Sequence, residues 1–179
     1  MSAAGSGSER PAPDGERLVC GLDLGGTKVL GLVVDPTGGE PLVVEKVPTP
    51  SGSDQIIDAM VDLASRLIEG VEASGAGRVE AVGLGAPGLV DREGALRYGP
   101  NVPGVINIGF AEVLGTRLGR PTVVDNDATC AAWAEHERGA ARGQNHSVTI
   151  TLGTGIGAGI TVKGEVLRGA HGFAGEAGH

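Results

Sequence analysis

The sequence predicts an α/β fold with one complete domain and the opening of a second, and three observations carry that expectation. Short β-rich apolar runs alternate with segments of helical spacing in the order βββ, α, β, α, β, α. Two Gly/Thr-rich turns, one at Gly25-Gly26-Thr27 and one at Gly153-Thr154-Gly155, each sit between two apolar runs. After residues 142–145 the strand, turn, strand pattern of the first turn starts again. The expected division is a disordered tail over 1–17, a first domain over 18–143 and an incomplete second domain over 144–179.

Residues 18–24 and 29–34 are short and apolar and are joined by a glycine turn, and 42–47 follows the turn signal at 36–39, which predicts a three-stranded meander. Ser53 then stands as the expected N-cap of a helix in which Ile56, Ile57, Met60, Val61, Ala64, Leu67, Ile68 and Val71 recur at three- and four-residue spacing. Residues 79–84 read as a strand. Phe110, Val113, Leu114 and Leu118 give a short helix with one apolar side, 121–124 another strand, and the alanine-rich 128–141 a narrow third helix. In the last hairpin Val148, Ile150 and Leu152 share one parity, as do Ile156, Ala158, Ile160 and Val162. Nothing later in the sequence reads as a cover for that face, and six large side chains left in water would forgo on the order of 10 kcal/mol. The chain is therefore expected to be the front part of a two-domain protein.

Composition narrows the function. The net charge of −8 and pI near 4.9 argue against a nucleic-acid partner, which needs clustered Lys and Arg. Cys20 and Cys130 lie in apolar segments and read as buried free thiols of a reducing compartment, with the cytoplasm as the default location. No run approaches the roughly 18 apolar residues that a membrane span needs.

The glycine turns admit two readings. Either could be a plain hairpin, but glycines also let backbone N–H groups approach a phosphate. Thr27 and Thr154 add hydroxyls, Lys28 a cation, and Asp23 leads the first turn. Together the turns suggest a nucleotide gripped from two sides. Gly83-Leu84-Gly85-Ala86-Pro87-Gly88 fits the letter of a dinucleotide fingerprint, but no helix follows it. Asp125-Asn126-Asp127 ends a strand just before the third helix, where Asp127 is either an N-cap or a carboxylate able to accept a hydroxyl proton. Glu176 and His179 have E-x-x-H spacing, but interleaved glycines oppose a helix there and argue against a di-metal site. His136 and His146 read as solvated surface residues.

In order along residues 18–179, the motifs DLGGTK, LGAPGLVD, GPN, VVDND, TLGTGIGAG and GFAGEAGH resemble those of the ROK group (repressor, open reading frame, kinase) of the sugar kinase/actin/Hsp70 superfamily, and within it the bacterial glucokinases. The resemblance implies a ribonuclease-H-like fold closing over ATP and a hexose. By carry-over, Asp23 would orient Mg²⁺ through water, with Gly25, Gly26, Thr27 and Lys28 facing the phosphates. Gly153, Thr154, Gly155 and Gly157 would form the second phosphate loop. Asp127 would take the proton of the sugar 6-hydroxyl, with Gly88, Asn101, Asn126, Glu176 and His179 contacting the sugar. The family also implies a structural zinc held by His179 and three downstream cysteines, a segment this sequence does not reach; Cys20 and Cys130 do not stand in for them. The resemblance thus implies an ATP-dependent glucokinase, homo-oligomeric at full length, with little or no activity in these 179 residues alone. The alternatives are another ROK hexose kinase (fructose, N-acetylmannosamine, allose), a polyphosphate-dependent variant, or a sugar-responsive transcriptional regulator, against which stands the absence of a winged helix-turn-helix ahead of residue 18.

Overall fold

The computed structural model describes residues 16–102, 104–153 and 155–176, so most of the expected 1–17 tail lies outside the described residues. The first strands are β1 (Arg17–Leu24), β2 (Lys28–Val34) and β3 (Val43–Pro48), followed by helix α1 (Ser53–Ala73) and strand β4 (Arg78–Ala86). Three short strands come next, β5 (Leu89–Val90), β6 (Leu96–Tyr98) and β7 (Ile106–Ile108), and then α2 (Phe110–Leu118), β8 (Thr122–Asn126) and α3 (Asp127–Arg138). The chain continues through β9 (His146–Leu152), β10 (Ile156–Val162) and β11 (Glu165–Val166).

The expected meander forms, with β2 antiparallel to both β1 and β3. β4 pairs parallel to β1 and β8 parallel to β4, giving a five-stranded sheet in the order β3-β2-β1-β4-β8. Period-two alternation decides its faces. Leu18, Cys20, Leu22 and Leu24 of β1, with Val29 and Val33 of β2, are buried together with the apolar stripe of α1. Ser53 is the first residue of that helix and not its cap. Gly52 occupies the cap position with φ 96°, and no side chain caps the helix; Asp54 in the first turn favours its positive end.

The sequence reading missed β5, β6 and β7, which form a separate antiparallel sheet between β4 and α2. Strands of two or three residues are too short to show alternation.

The second sheet has the order β11-β10-β9. Its Gly/Thr face, not its apolar face, packs on α3. A Cβ on Gly157 would come 2.8 Å from Ala128 Cβ, and one on Gly159 would overlap Ala132 Cβ and lie 2.7 Å from the Ala128 carbonyl. Glycines every second residue on a strand thus meet alanines every fourth residue on a helix, and the two backbones approach without intervening side chains. Val148, Ile150, Leu152 and Ile156 on the opposite face are exposed. Among the described residues, no helix is long and apolar enough to cross a membrane.

Candidate active site

The site is assembled at the carboxyl ends of the parallel strands, where ligands bind in open α/β sheets. Asp23 of β1 pairs in register with Gly85 of β4, and Gly85 with Asp125 of β8. One residue further, β8 ends and α3 begins. Asn126, only 8% exposed, caps that helix, its Oδ1 accepting from Thr129 N–H at 3.0 Å. Asp127 is the first helical residue instead of the cap, and its Oδ1 accepts from the Ala128 N–H at 2.8 Å. Its carboxylate is therefore left on the cleft side of the helix start.

A cleft of about 550 Å³ opens there, between the two sheets. Asp23, Gly25 and Gly26 line it from the first turn, Gly153 and Gly155 from the second, and Gly157 from inside β10. Gly88, Asn101, Asn126, Asp127 and Glu176 line the remainder. Gly25 N–H closes the first turn by donating to the Lys28 carbonyl at 3.0 Å. Gly88 holds φ 95°, and its position against the Tyr98 carbonyl leaves no room for a Cβ. The freed Gly88 carbonyl accepts from Asn126 Nδ2 at 3.1 Å, and the same nitrogen donates to Glu176 Oε1 at 3.3 Å.

Two expected residues stand apart from this lining. Thr27 and Lys28 are exposed, Lys28 as the first residue of β2. Thr154 and His179 lie outside the described residues. Arg168, which the sequence reading passed over, reaches in after β11, and its Nε donates to Asp125 Oδ2 at 2.8 Å. An arginine before a glycine-rich loop carries no sequence signal for a partner 43 residues away.

Partial loss of solvent dominates the electrostatics, although Asp23 and Asp127 both keep exposed surface on the cleft. It raises the Asp127 carboxyl above its ordinary value, against the lowering effect of backbone N–H donors. Asp23 is raised by burial first and by the charge of Asp127 second, with Lys28 acting in the opposite direction. Cys130, on the α3 face turned toward Gly85, is pushed up to about 12 by burial and the three aspartates, and Cys20 to about 11 by burial. Neither thiol is disposed to act as a thiolate ligand.

Residues 19–179 match the ROK family. The chain belongs to that family. This ROK chain is 40% identical over 163 residues to the glucokinase of Streptomyces coelicolor, across 90% of its own length and 49% of that protein's. It overlays on the ROK family glucokinase from Streptomyces griseus, solved in complex with glucose and AMPPNP, with a TM-score of 0.80 at 40% identity, covering 90% of this chain and 50% of that one. With the ROK hexokinase from Thermus thermophilus the TM-score is 0.77 at 44% identity, covering 90% and 52%. The sugar kinase/actin/Hsp70 fold is thereby shown, and the chain spans about half the length of the curated relatives it matches.

Proposed function

We propose that the protein transfers the terminal phosphoryl group of ATP to the 6-hydroxyl of a hexose, with glucose as the first candidate. The observation that carries this reading is the convergence of both glycine turns, Asp127, Asn126, Asn101 and Glu176 on one cleft. Gly26 and Gly155 offer backbone N–H groups to phosphates from two sides, those of Gly25 and Gly153 being used to close the two turns on the Lys28 and Gly155 carbonyls. Gly88, Asn101 and Glu176 provide a carbonyl, an amide and a carboxylate suited to a polyol. Asp127 accepts the hydroxyl proton as the sugar oxygen bonds to phosphorus and the bond to the leaving ADP oxygen breaks.

Mg²⁺ prefers water plus one or two carboxylates and substrate phosphates. Asp23 in the cleft fits that preference, and among the described residues no three His, Cys, Asp or Glu side chains form a metal-holding group. Bound with the nucleotide, Mg²⁺ would offset phosphate charge. The zinc expectation rests on His179, outside the described residues, and the two cysteines do not fit it, lying in different elements; Cys20 is buried in β1 as expected, whereas Cys130 in α3 is only half-buried.

The same reading covers the organisation of the chain. The first domain would span 18–143 and the second begin at 144, its bare hairpin face being the surface that the remainder of a full-length protein covers. The 179 residues alone would then turn over hexose weakly or not at all, and a cytoplasmic homo-oligomer is the corresponding whole.

The test is an assay of the full-length protein on a hexose panel, with ATP and with polyphosphate, beside Asp127→Asn. The variant should lose about 10²-fold or more in kcat. Retention of more than about a tenth of the rate would remove Asp127 from the base role. Because the base must be ionised and burial raises its pKa, activity should fall with decreasing pH at values above the ordinary carboxylate range.

A further inference from the structure

Residues 168–176 leave the second sheet and return over the first domain. The start of this loop is tied by Arg168 Nε to Asp125 Oδ2 at 2.8 Å, and Arg92 Nε donates to the Gly169 carbonyl at 3.0 Å. Ala174 N–H donates back to the Arg168 carbonyl at 3.2 Å, which closes residues 168–174 into a turn. The end of the loop is tied by Asn126 Nδ2 to Glu176 Oε1. Asp125 and Asn126 are adjacent on β8, so both ends of the loop are fastened to the same strand end, one residue before Asp127.

The two fastenings differ in character. The Asn126–Glu176 bond, at 3.3 Å, joins a neutral amide to a carboxylate, whereas the Arg168–Asp125 bond, at 2.8 Å, joins opposite charges, with the Arg168 side chain 47% exposed and that of Asp125 14%. Both bonds have an ionised acceptor, but the shorter one, with charge on both partners, is the stronger, and it loses less to screening where one partner is buried. Asp23, Asp125 and Asp127 all act on the Cys130 thiol, and Arg168 is the cation that acts against them.

We propose that Arg168 is a positioning residue: its ion pair with Asp125 holds the 168–176 loop so that Glu176 stands beside Asn126, and thereby sets how tightly the cleft holds a hexose. This rests on the sugar-kinase reading above. Arg168 touches none of the reacting groups, so its effect falls on affinity more than on turnover.

The test compares Arg168→Ala, Arg168→Lys and the double variant Asp125→Ala/Arg168→Ala with the unmutated full-length protein. Three quantities are measured: KM for the hexose, kcat, and hydrogen exchange at the amides of Ala174 and Glu176. Arg168→Ala should raise KM about tenfold and change kcat by less than about threefold, with faster exchange at both amides. Arg168→Lys should recover part of the KM, and the double variant should be no worse than Arg168→Ala alone. Unchanged KM with unchanged exchange in Arg168→Ala overturns the proposal, as does a loss confined to kcat. If the unmutated protein phosphorylates no hexose, the functional reading fails by itself, and the exchange comparison alone decides whether Arg168 holds the loop.

Discussion

The two hairpins of the molecule, β1–β2 and β9–β10, share a pattern and differ in what covers them. Leu24 pairs with Val29 beside the first turn, and Leu152 with Ile156 beside the second, so Leu22 corresponds to Ile150 and Leu24 to Leu152. Leu22 is 4% exposed and Ile150 60%; Leu24 is 1% exposed and Leu152 80%. In the first hairpin the apolar face lies under α1. In the second it faces outward, and the hairpin is instead anchored by its other face, through Gly157 and Gly159 on Ala128 and Ala132. Turn and register are therefore enough to form a hairpin of this kind, while burial of its apolar parity depends on an element supplied by a different part of the chain. The sheet also shows that attachment to a neighbour can rest on backbone proximity where side-chain interdigitation is missing.

The largest expected effect separates the two hairpins directly. In urea unfolding of the 179-residue chain Leu22→Ala should cost about 2–5 kcal/mol, whereas Ile150→Ala should stay within about 0.5 kcal/mol. Similar costs at both positions would mean that the second face is covered in solution. Next is the anchoring face. Gly159→Ala forces a methyl into rigid Ala132 and the helix backbone, so a loss of about 1–3 kcal/mol is expected. Gly31→Ala in the first hairpin meets side-chain atoms of Leu63 and Leu67 and no backbone, so a smaller shift relieves it and it should cost less. A larger loss at Gly31 would reverse the assignment of the rigid seam to the second hairpin.

A smaller effect concerns Asp127, where the seam meets the cleft. Its folded-state pKa is raised, so the native state binds the proton more readily than the unfolded state, and its contribution to stability falls as pH rises through the folded value. Asp127→Asn should therefore unfold at higher temperature than the parent near neutral pH, with the difference gone below the ordinary carboxylate range. A variant less stable at neutral pH would show that the helix-start charge outweighs burial. The smallest effect is read by thiol labelling: both cysteines should be nearly inert in the native state, given their raised pKa values. In subdenaturing urea Cys130, at the seam, should label before Cys20, beneath α1; equal rates would mean that both regions open together.

The second hairpin was legible in the sequence because alternation on both sides of a glycine turn suits a hairpin and little else, and the first because two short, β-rich apolar runs flank such a turn. The long helix was equally plain, since Ile56, Met60, Leu67 and Val71 repeat over about four turns. The sheet of β5, β6 and β7 was missed, its strands being shorter than one full alternation. The cap expected at Ser53 was one residue late, and of the two readings left open for Asp127 the cap falls to Asn126, because Ser53 and Asp127 are good caps by type while Gly52 and Asn126 hold the geometry. Most of the cleft lining was foreseen from motif positions. Arg168 was not, since a long-range ion pair leaves no trace in local spacing.

The three bonds of Asn126 limit which residue its position can tolerate. Its oxygen is spent on Thr129 N–H, and its nitrogen on the Gly88 carbonyl and Glu176. Aspartate caps helices as well as asparagine does, yet it would turn an acceptor toward a carbonyl and a carboxylate. Serine would cap the helix but has no second arm to reach them. A random library at this codon, scored only for folding, should return asparagine even with no substrate in the medium.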